Sequence, residues 1–238
     1  MSTRLAVDRR LMISLGAILA FGALRAIVAA PQSFISSEGT LAAAYLTFVG
    51  PGQATALYVP LYAICASDLI RYSLSSCSVG RNGSRLAVLR GVCAHIACLA
   101  LVFALAVFMP SLVALALKSG IEGAPGSWAV FALLQLVYEF VYFLVVGLID
   151  LTAALLTRSD ALTLAITVIY GGIDTFIAIL VDYHGGWWTG WMLLGYADPS
   201  NPVLAASGLL RLLALAVVFG IAAWRLMQGV DFYEASHE

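Results

Sequence analysis

Charged residues are scarce in this chain. Asp, Glu, Lys and Arg make up 11% of the 238 residues, whereas a soluble domain carries roughly 25%. So few ionisable side chains cannot form the charged surface that a water-soluble core of this size needs. Hydrophobic residues instead make up 62%, which predicts an all-α integral membrane protein. The net charge of −1 does not point to nucleic acid as a partner, because it averages segments on opposite sides of a bilayer.

Sequence motifs for catalysis are also missing. The chain contains no phosphate-binding loop of the form G-x-x-x-x-G-K-[ST], so it has no familiar site for ATP hydrolysis. The three histidines lie on separate segments and match no metal-binding pattern, and the four cysteines match no zinc or redox spacing. No nucleophile has a recognisable base near it in the sequence. We therefore expect no enzyme activity and no metal or cofactor bound by this chain.

Long apolar stretches fill most of the sequence. Each reaches the roughly 20 residues that an α-helix needs to cross about 30 Å of hydrocarbon. The predicted transmembrane helices are 11–30, 41–66, 91–117, 128–149, 161–181 and 203–227. With the N-terminus inside, nine cations lie on the cytoplasmic side and one, Lys118, lies outside. This bias predicts that both termini are cytoplasmic, in a single transmembrane domain that contacts lipid and crosses the plasma membrane six times.

The predicted cytoplasmic connection 67–90 is polar and basic. Leu, Ile and Val residues recur in it at near-helical spacing between the polar groups. Such a pattern is typical of a segment that docks on a cytoplasmic partner or lies on the lipid surface. The sequence alone leaves both interpretations open.

The external segment 182–202 is rich in aromatic residues, including Trp187, Trp188 and Trp191. Trp and Tyr prefer the headgroup zone of a bilayer, and the apolar run within this segment is too short to span the hydrocarbon. It is therefore predicted to be re-entrant or interfacial, with a plain external loop as the alternative. The three Trp residues are candidates for an external gate.

Ionisable side chains inside the predicted helices are candidate functional residues, because each costs on the order of 3 kcal/mol or more to insert. Arg25 and Asp174 lie at similar predicted depths, about 20 Å from the inner face at the rise of an α-helix. This favours an ion pair between the first and fifth helices, within or between protomers. Glu139 lies near the middle of the fourth helix, close to Tyr142. It either faces a translocation path, carries a proton, or forms a structural hydrogen bond to a neighbouring helix.

The order of these segments resembles a known family. Six helices, a basic loop after the second and a partly re-entrant segment before the sixth resemble the permease subunits of ABC-2-type exporters. Residues Ser84-Arg85-Leu-Ala-Val-Leu-Arg90 are similar to the entry to the family's third helix, and 193–202 is similar to its Pro-containing approach to the sixth. The resemblance covers nearly the whole chain. The tail before residue 11 is shorter than the amphipathic connecting helix that many members carry.

The resemblance implies an ABC-2-type permease fold in which two permeases, identical or homologous, form a pore. A separate ABC ATPase subunit, which binds ATP and Mg, would drive alternating access through contacts with 67–90. The candidate contact residues are Asp68, Arg71, Leu74, Arg81, Arg85 and Arg90. The expected substrate is amphipathic or peptide-like, such as an antimicrobial peptide. An ion-coupled secondary transporter or channel that uses Glu139 and Asp174 is the alternative; a membrane enzyme acting on lipids and a non-transporting assembly subunit also stay open.

Overall fold

The computed structural model describes residues 2–28, 41–74, 84–119, 125–181 and 190–229, and this part of the chain is almost entirely helical, without a strand. Its helices are α1 (Ser2–Val28), α2 (Leu41–Phe48), α3 (Pro51–Leu74), α4 (Arg85–Ser119), α5 (Pro125–Thr157), α6 (Asp160–Gly171), α7 (Ile173–Val181) and α8 (Pro202–Gly229), with a 3₁₀ helix at Trp191–Tyr196. The predicted all-α class is therefore confirmed.

Four of the described helices are long and apolar enough to cross a membrane. They are α3, α4, α5 and α8, whose apolar spans contain 24 to 33 residues. At about 1.5 Å per residue, the shortest of them measures roughly 36 Å, which exceeds the hydrocarbon thickness. These helices indicate a membrane protein. Three of the six predicted crossings, 91–117, 128–149 and 203–227, therefore lie inside helices of sufficient length, and α3 overlaps the second predicted crossing from residue 51 onward.

Two predicted crossings are interrupted. The second predicted helix is divided into α2 and α3 at Val49 and Gly50, because Pro51 has no N–H and holds the residue before it in an extended conformation. A π-helical turn, Ala54–Tyr58, follows inside α3. The fifth predicted helix is divided into α6 and α7 at Gly172. The helices α3 and α5 also continue to Leu74 and Thr157, beyond the predicted ends at 66 and 149.

The helix α5 lies at the centre of the bundle. It packs against α3, α4, α6 and α8, and 67% of its apolar span is buried, compared with 17% of that of α8. Small residues allow the closest approaches. A Cβ atom built on Gly147 of α5 would lie 2.5 Å from both Ile96 Cγ2 and Tyr62 Oη. The core is filled by rings packed mostly edge to face, such as Tyr62 with Phe103 at a centroid distance of 5.1 Å.

Candidate functional site

The carboxyl group of Glu139 lies on α5 in the interior of the bundle and is completely buried. The hydroxyl of Tyr45 on α2 donates a hydrogen bond to Oε1 of Glu139. Within the described residues, Oε2 has no hydrogen-bond partner. Gln135 lies one turn earlier on the same face of α5 and is also completely buried, with both amide atoms unpartnered.

Unpartnered buried polar atoms are uncommon, because each one costs about 1–3 kcal/mol of lost solvation. Tyr45, Gln135 and Glu139 form a group that we call the Glu139 cluster. It contains three unpartnered atoms, of which two belong to Gln135 and one to Glu139. Aromatic rings cover it: the Tyr45 ring lies 5.9 Å from that of Phe131 and 6.3 Å from that of Phe108. These rings exclude water, which strengthens every polar interaction inside. The cluster therefore has the chemistry to hold a proton, a water molecule or a small cation.

A second buried carboxyl group, Asp150, was not predicted from the sequence. It lies three helical turns beyond Glu139 on the same face of α5, about 16 Å away along the axis. Its Oδ1 accepts a hydrogen bond of 2.8 Å from the Thr167 hydroxyl on α6, and its Oδ2 accepts one of 2.9 Å from the Ser67 hydroxyl on α3. Asp150 therefore connects three helices. The apolar run continues for two turns beyond 149, and extending the predicted helix to the end of that run would have found this residue.

Tyr142, a predicted site residue, is completely buried between these two carboxyl groups. Its hydroxyl donates to the carbonyl of Gly171, the last residue of α6, at 3.5 Å. Together with Gln135, Glu139 and Asp150 it forms a polar stripe along one face of α5. The structure thus groups two predicted residues, Glu139 and Tyr142, with two that the sequence analysis did not select.

Asp174 accepts hydrogen bonds from backbone amides in the structure. Its Oδ2 receives them from Gly190 at 2.9 Å and from Met192 at 3.0 Å, at the start of the 3₁₀ helix. A carboxylate is well suited to this position, because the first amides of a helix lack partners within it. Arg25 is partly buried on α1, and its ion pair with Asp174 stays a prediction. Asp174 therefore has a structural role that the sequence analysis did not anticipate.

Trp191 begins the 3₁₀ helix and is completely buried. Its ring packs against those of Tyr58, Tyr142 and Phe143 at centroid distances of 5.0 to 6.0 Å. Its Nε1–H donates to the carbonyl of Val49 at 2.5 Å. The external gate is not tested by these contacts, and its other predicted residues, Trp187 and Trp188, lie outside the described residues.

Ion pairs connect helices at the predicted cytoplasmic end. Arg10 on α1 donates to both carboxylate oxygens of Asp68 on α3, at 2.7 and 2.9 Å. Arg71, one turn further along α3, forms an ion pair with Asp160 at the start of α6. Two of the predicted ATPase-contact residues, Asp68 and Arg71, therefore bind other helices of the same chain.

The remaining residues of that predicted contact differ in their surroundings. Arg85 donates to the backbone carbonyl of Gln228 near the end of α8, Leu74 is partly buried against Ile70, and Arg90 is exposed. Arg81 lies outside the described residues. The exposed side of the first turns of α4 carries Leu86, which is 44% exposed, together with Arg90. Among the described residues of 67–90, this surface is therefore open to a partner, as are Arg71 and Tyr72 at the end of α3.

The described residues contain no group of three or more His, Cys, Asp or Glu side chains that could hold a metal ion. Comparison of the chain with protein-family models, with curated proteins and with solved structures finds no match.

Proposed function

We propose that this chain is the transmembrane permease subunit of an ATP-driven ABC exporter, with six membrane crossings, cytoplasmic termini and an ABC-2-type fold. In this proposal, α1 and the interrupted pair α6–α7 supply the two crossings beyond the four long apolar helices. A second permease copy, or a homologous permease, completes the pore in the plasma membrane. The ATPase subunit binds ATP and Mg, and the substrate is amphipathic or peptide-like.

The observation that supports this proposal best is the set of connections at the predicted cytoplasmic end. The Arg10–Asp68 and Arg71–Asp160 pairs attach α1 and α6 to the end of α3, next to the segment where a partner ATPase would bind. Exposed ion pairs of this kind contribute only about 0–1 kcal/mol each to stability. Their value in an exporter would be mechanical, because a push on one segment reaches three helices at once.

The interrupted helices supply the hinges that alternating access needs. The break between α2 and α3 and the break between α6 and α7 face each other, and the hydroxyls of Thr55 and Thr175 lie 3.2 Å apart beside them. The halves on either side of the α2–α3 break can tilt separately, since Pro51 has no N–H to donate across it. At Gly172 backbone hydrogen bonds from Gly172 to Val168 and from Phe176 to Gly172 still join α6 to α7, so this helix can bend there without separating. Movement at the cytoplasmic end of α3 would thereby reach the 3₁₀ helix through Val49 and Trp191.

Affinity purification in mild detergent from native membranes, followed by mass spectrometry, tests the proposal. We expect a stoichiometric subunit with a phosphate-binding loop. The double variant Leu86→Glu, Arg90→Glu should lose that subunit, because both side chains lie on the exposed surface of α4. The matched control is Arg225→Glu, an exposed cation on α8 outside the predicted contact, which should retain it. A chain that purifies without any such ATPase would contradict the proposal.

An ion-coupled secondary transporter is the second candidate, and it is favoured by the buried Glu139 cluster. A permanently closed structural contact gains nothing from leaving three buried polar atoms unpartnered. Of the two predicted carboxyl groups, Glu139 has an oxygen without a partner, whereas Asp174 accepts from backbone amides, so Glu139 supports this candidate more directly. Substrate uptake by proteoliposomes that contain this chain alone, driven by a pH or Na⁺ gradient, would support this candidate. No uptake without an ATPase would exclude it.

A further inference from the structure

The Glu139 carboxyl group has little in its surroundings to stabilise a negative charge. The ion pairs of the described residues join Arg10 to Asp68 and Arg71 to Asp160, and neither involves Glu139. A buried carboxylate requires a cation or several hydrogen-bond donors. Within the described residues the Tyr45 hydroxyl donates to Glu139, and the Gln135 amide is close enough to act on the carboxyl group but does not reach hydrogen-bond geometry. The neutral acid is the form that this environment stabilises.

We propose that the Glu139 cluster is an occluded proton-binding site, in which Glu139 carries the proton in this conformation. Protonation makes Oε2 a donor, and Gln135 Oε1 on the preceding turn is an unpartnered acceptor for it. Oε1 continues to accept from the Tyr45 hydroxyl. One bound proton thus satisfies two of the three unpartnered atoms, and the Gln135 amide nitrogen is left for a water molecule.

The neighbouring ionisable groups do not replace the missing countercharge. Titratable and charged side chains on the surrounding elements include Arg25 on α1, Tyr45 on α2, Tyr58 and Tyr62 on α3, Tyr138, Tyr142 and Asp150 on α5, Tyr170 on α6, Asp174 on α7, Tyr196 in the 3₁₀ helix and Arg211 on α8. The hydroxyls of Tyr138 and Tyr142 donate to carbonyls of other helices. Arg211 lies over the Tyr196 ring, at 5.9 Å from its centroid. Asp150 is about 16 Å away along α5.

The position of Tyr45 gives the proton a route. It lies on α2, an eight-residue helix that is separated from α3 by Val49 and Gly50. Tilting α2 about this break would withdraw the Tyr45 hydroxyl and the ring that covers the carboxyl group. On the predicted topology α2 lies at the external end of its crossing, so the proton would exchange with the external side. This inference goes beyond the proposed function, since it requires neither an ATPase nor a transported substrate.

Infrared difference spectroscopy of the purified chain in lipid bilayers tests the inference. At neutral pH we expect a carbonyl band of a protonated carboxylic acid that disappears in Glu139→Gln and persists in the matched variant Asp150→Asn. Raising the pH should remove the band reversibly, and Tyr45→Phe should raise the pH at which it disappears, because the carboxylate loses the hydroxyl that donates to it. A wild-type spectrum without a Glu139-dependent band at neutral pH would overturn the inference.

A second measurement needs no variant. Dicyclohexylcarbodiimide is an apolar reagent that adds to protonated carboxylic acids inside membranes, and peptide mass mapping locates the adduct. We expect modification of Glu139 in the wild-type chain at neutral pH, and none at a pH above the transition seen by infrared spectroscopy. Addition of Na⁺ at constant pH should leave both signals unchanged. If Na⁺ abolishes the infrared band and the adduct together, the cluster takes a metal cation and the proton site is refuted.

Discussion

Asp150 connects α3, α5 and α6 through two hydrogen bonds, and replacing it with Ala removes both. The Ser67 hydroxyl would lose this acceptor inside the bundle, while the Thr167 hydroxyl would keep the Thr163 carbonyl, at 2.9 Å, as its other acceptor. Hydrogen bonds to charged groups contribute about 1.5–3 kcal/mol in soluble proteins. Between membrane helices, however, the average is about 0.6 and the maximum about 1.7 kcal/mol, because unfolded helices find other partners in the bilayer. For two bonds we therefore expect a loss of about 1–3 kcal/mol in Asp150→Ala.

The conservative variant Asp150→Asn should lose only part of this unfolding free energy. In Asp150→Asn one carbonyl oxygen can still accept from a hydroxyl, while the amide nitrogen faces a second donor, so roughly half of the loss should remain. A double-mutant cycle of Asp150→Ala with Thr167→Val isolates the contact to α6. Its coupling energy should be about 0.6–1.7 kcal/mol.

Reversible unfolding in mixed micelles measures these differences, provided that far-UV circular dichroism and Trp fluorescence give the same transition. The control is Asp160→Ala, which removes an exposed carboxyl group whose ion pair with Arg71 is open to solvent, and it should change stability by only about 0–1 kcal/mol. Equal stability of the Asp150 and Asp160 variants, or a coupling energy of zero between Asp150 and Thr167, would refute the assignment of Asp150 as a connection between helices.

Two further substitutions test the packing around α5. Gly147→Ala places a methyl group 2.5 Å from Ile96 Cγ2 and should cost about 1–3 kcal/mol of unfolding free energy. Its control, Gly91→Ala, places a methyl group with no atom within 4 Å and should be neutral or stabilising, so equal effects would contradict the close contact at Gly147. Trp191→Phe leaves a buried backbone carbonyl without its donor and should cost about 1–3 kcal/mol, while Trp224→Phe at a 47% exposed position should have little effect, and the reverse order would show that the Trp191 hydrogen bond is not formed.

The helices themselves follow from the apolar runs, whereas their interruptions depend on a few residues within them. The predicted helices 91–117 and 203–227 lie inside α4 and α8, and neither range contains a Gly-Pro or Gly-Gly pair that would divide it. Hydrophobicity predicts continuous second and fifth helices, although Gly50-Pro51-Gly52 and Gly171-Gly172 stand inside them. Both are familiar break signals. Hydrophobicity alone does not register them, since glycine and proline lower the average only slightly.

The sequence predicts individual residues of the candidate site but not the partners that they contact. Glu139 is recognisable because a carboxyl group in the middle of an apolar run is rare. Its donor Tyr45 lies 94 residues away in the sequence, and no local pattern identifies such a pair. Asp174 was predicted to pair with a cation of similar depth, but backbone amides satisfy a carboxylate equally well. Side-chain charge gives no indication of where unpartnered amides will lie.

The interruptions and the polar stripe of α5 belong to one arrangement. Inside a bilayer every backbone group needs a partner within the protein, and a broken helix leaves some groups without one. Near Gly50 the amides of both Gln53 and Ala54 bond to the carbonyl of Gly50, so the Val49 carbonyl lies free of the α3 ladder and accepts from Trp191 instead.

At the break between α6 and α7 a side chain again supplies a partner for the backbone, since the carbonyl of Gly171 accepts from the Tyr142 hydroxyl. The partners at both breaks therefore come from α5 or from the 3₁₀ helix packed on it. Tilting of α2 about Gly50 would displace both the Val49 carbonyl that accepts from Trp191 and the Tyr45 hydroxyl that donates to Glu139. Motion at the first break and exposure of the buried carboxyl group are consequently linked, whichever energy source drives them.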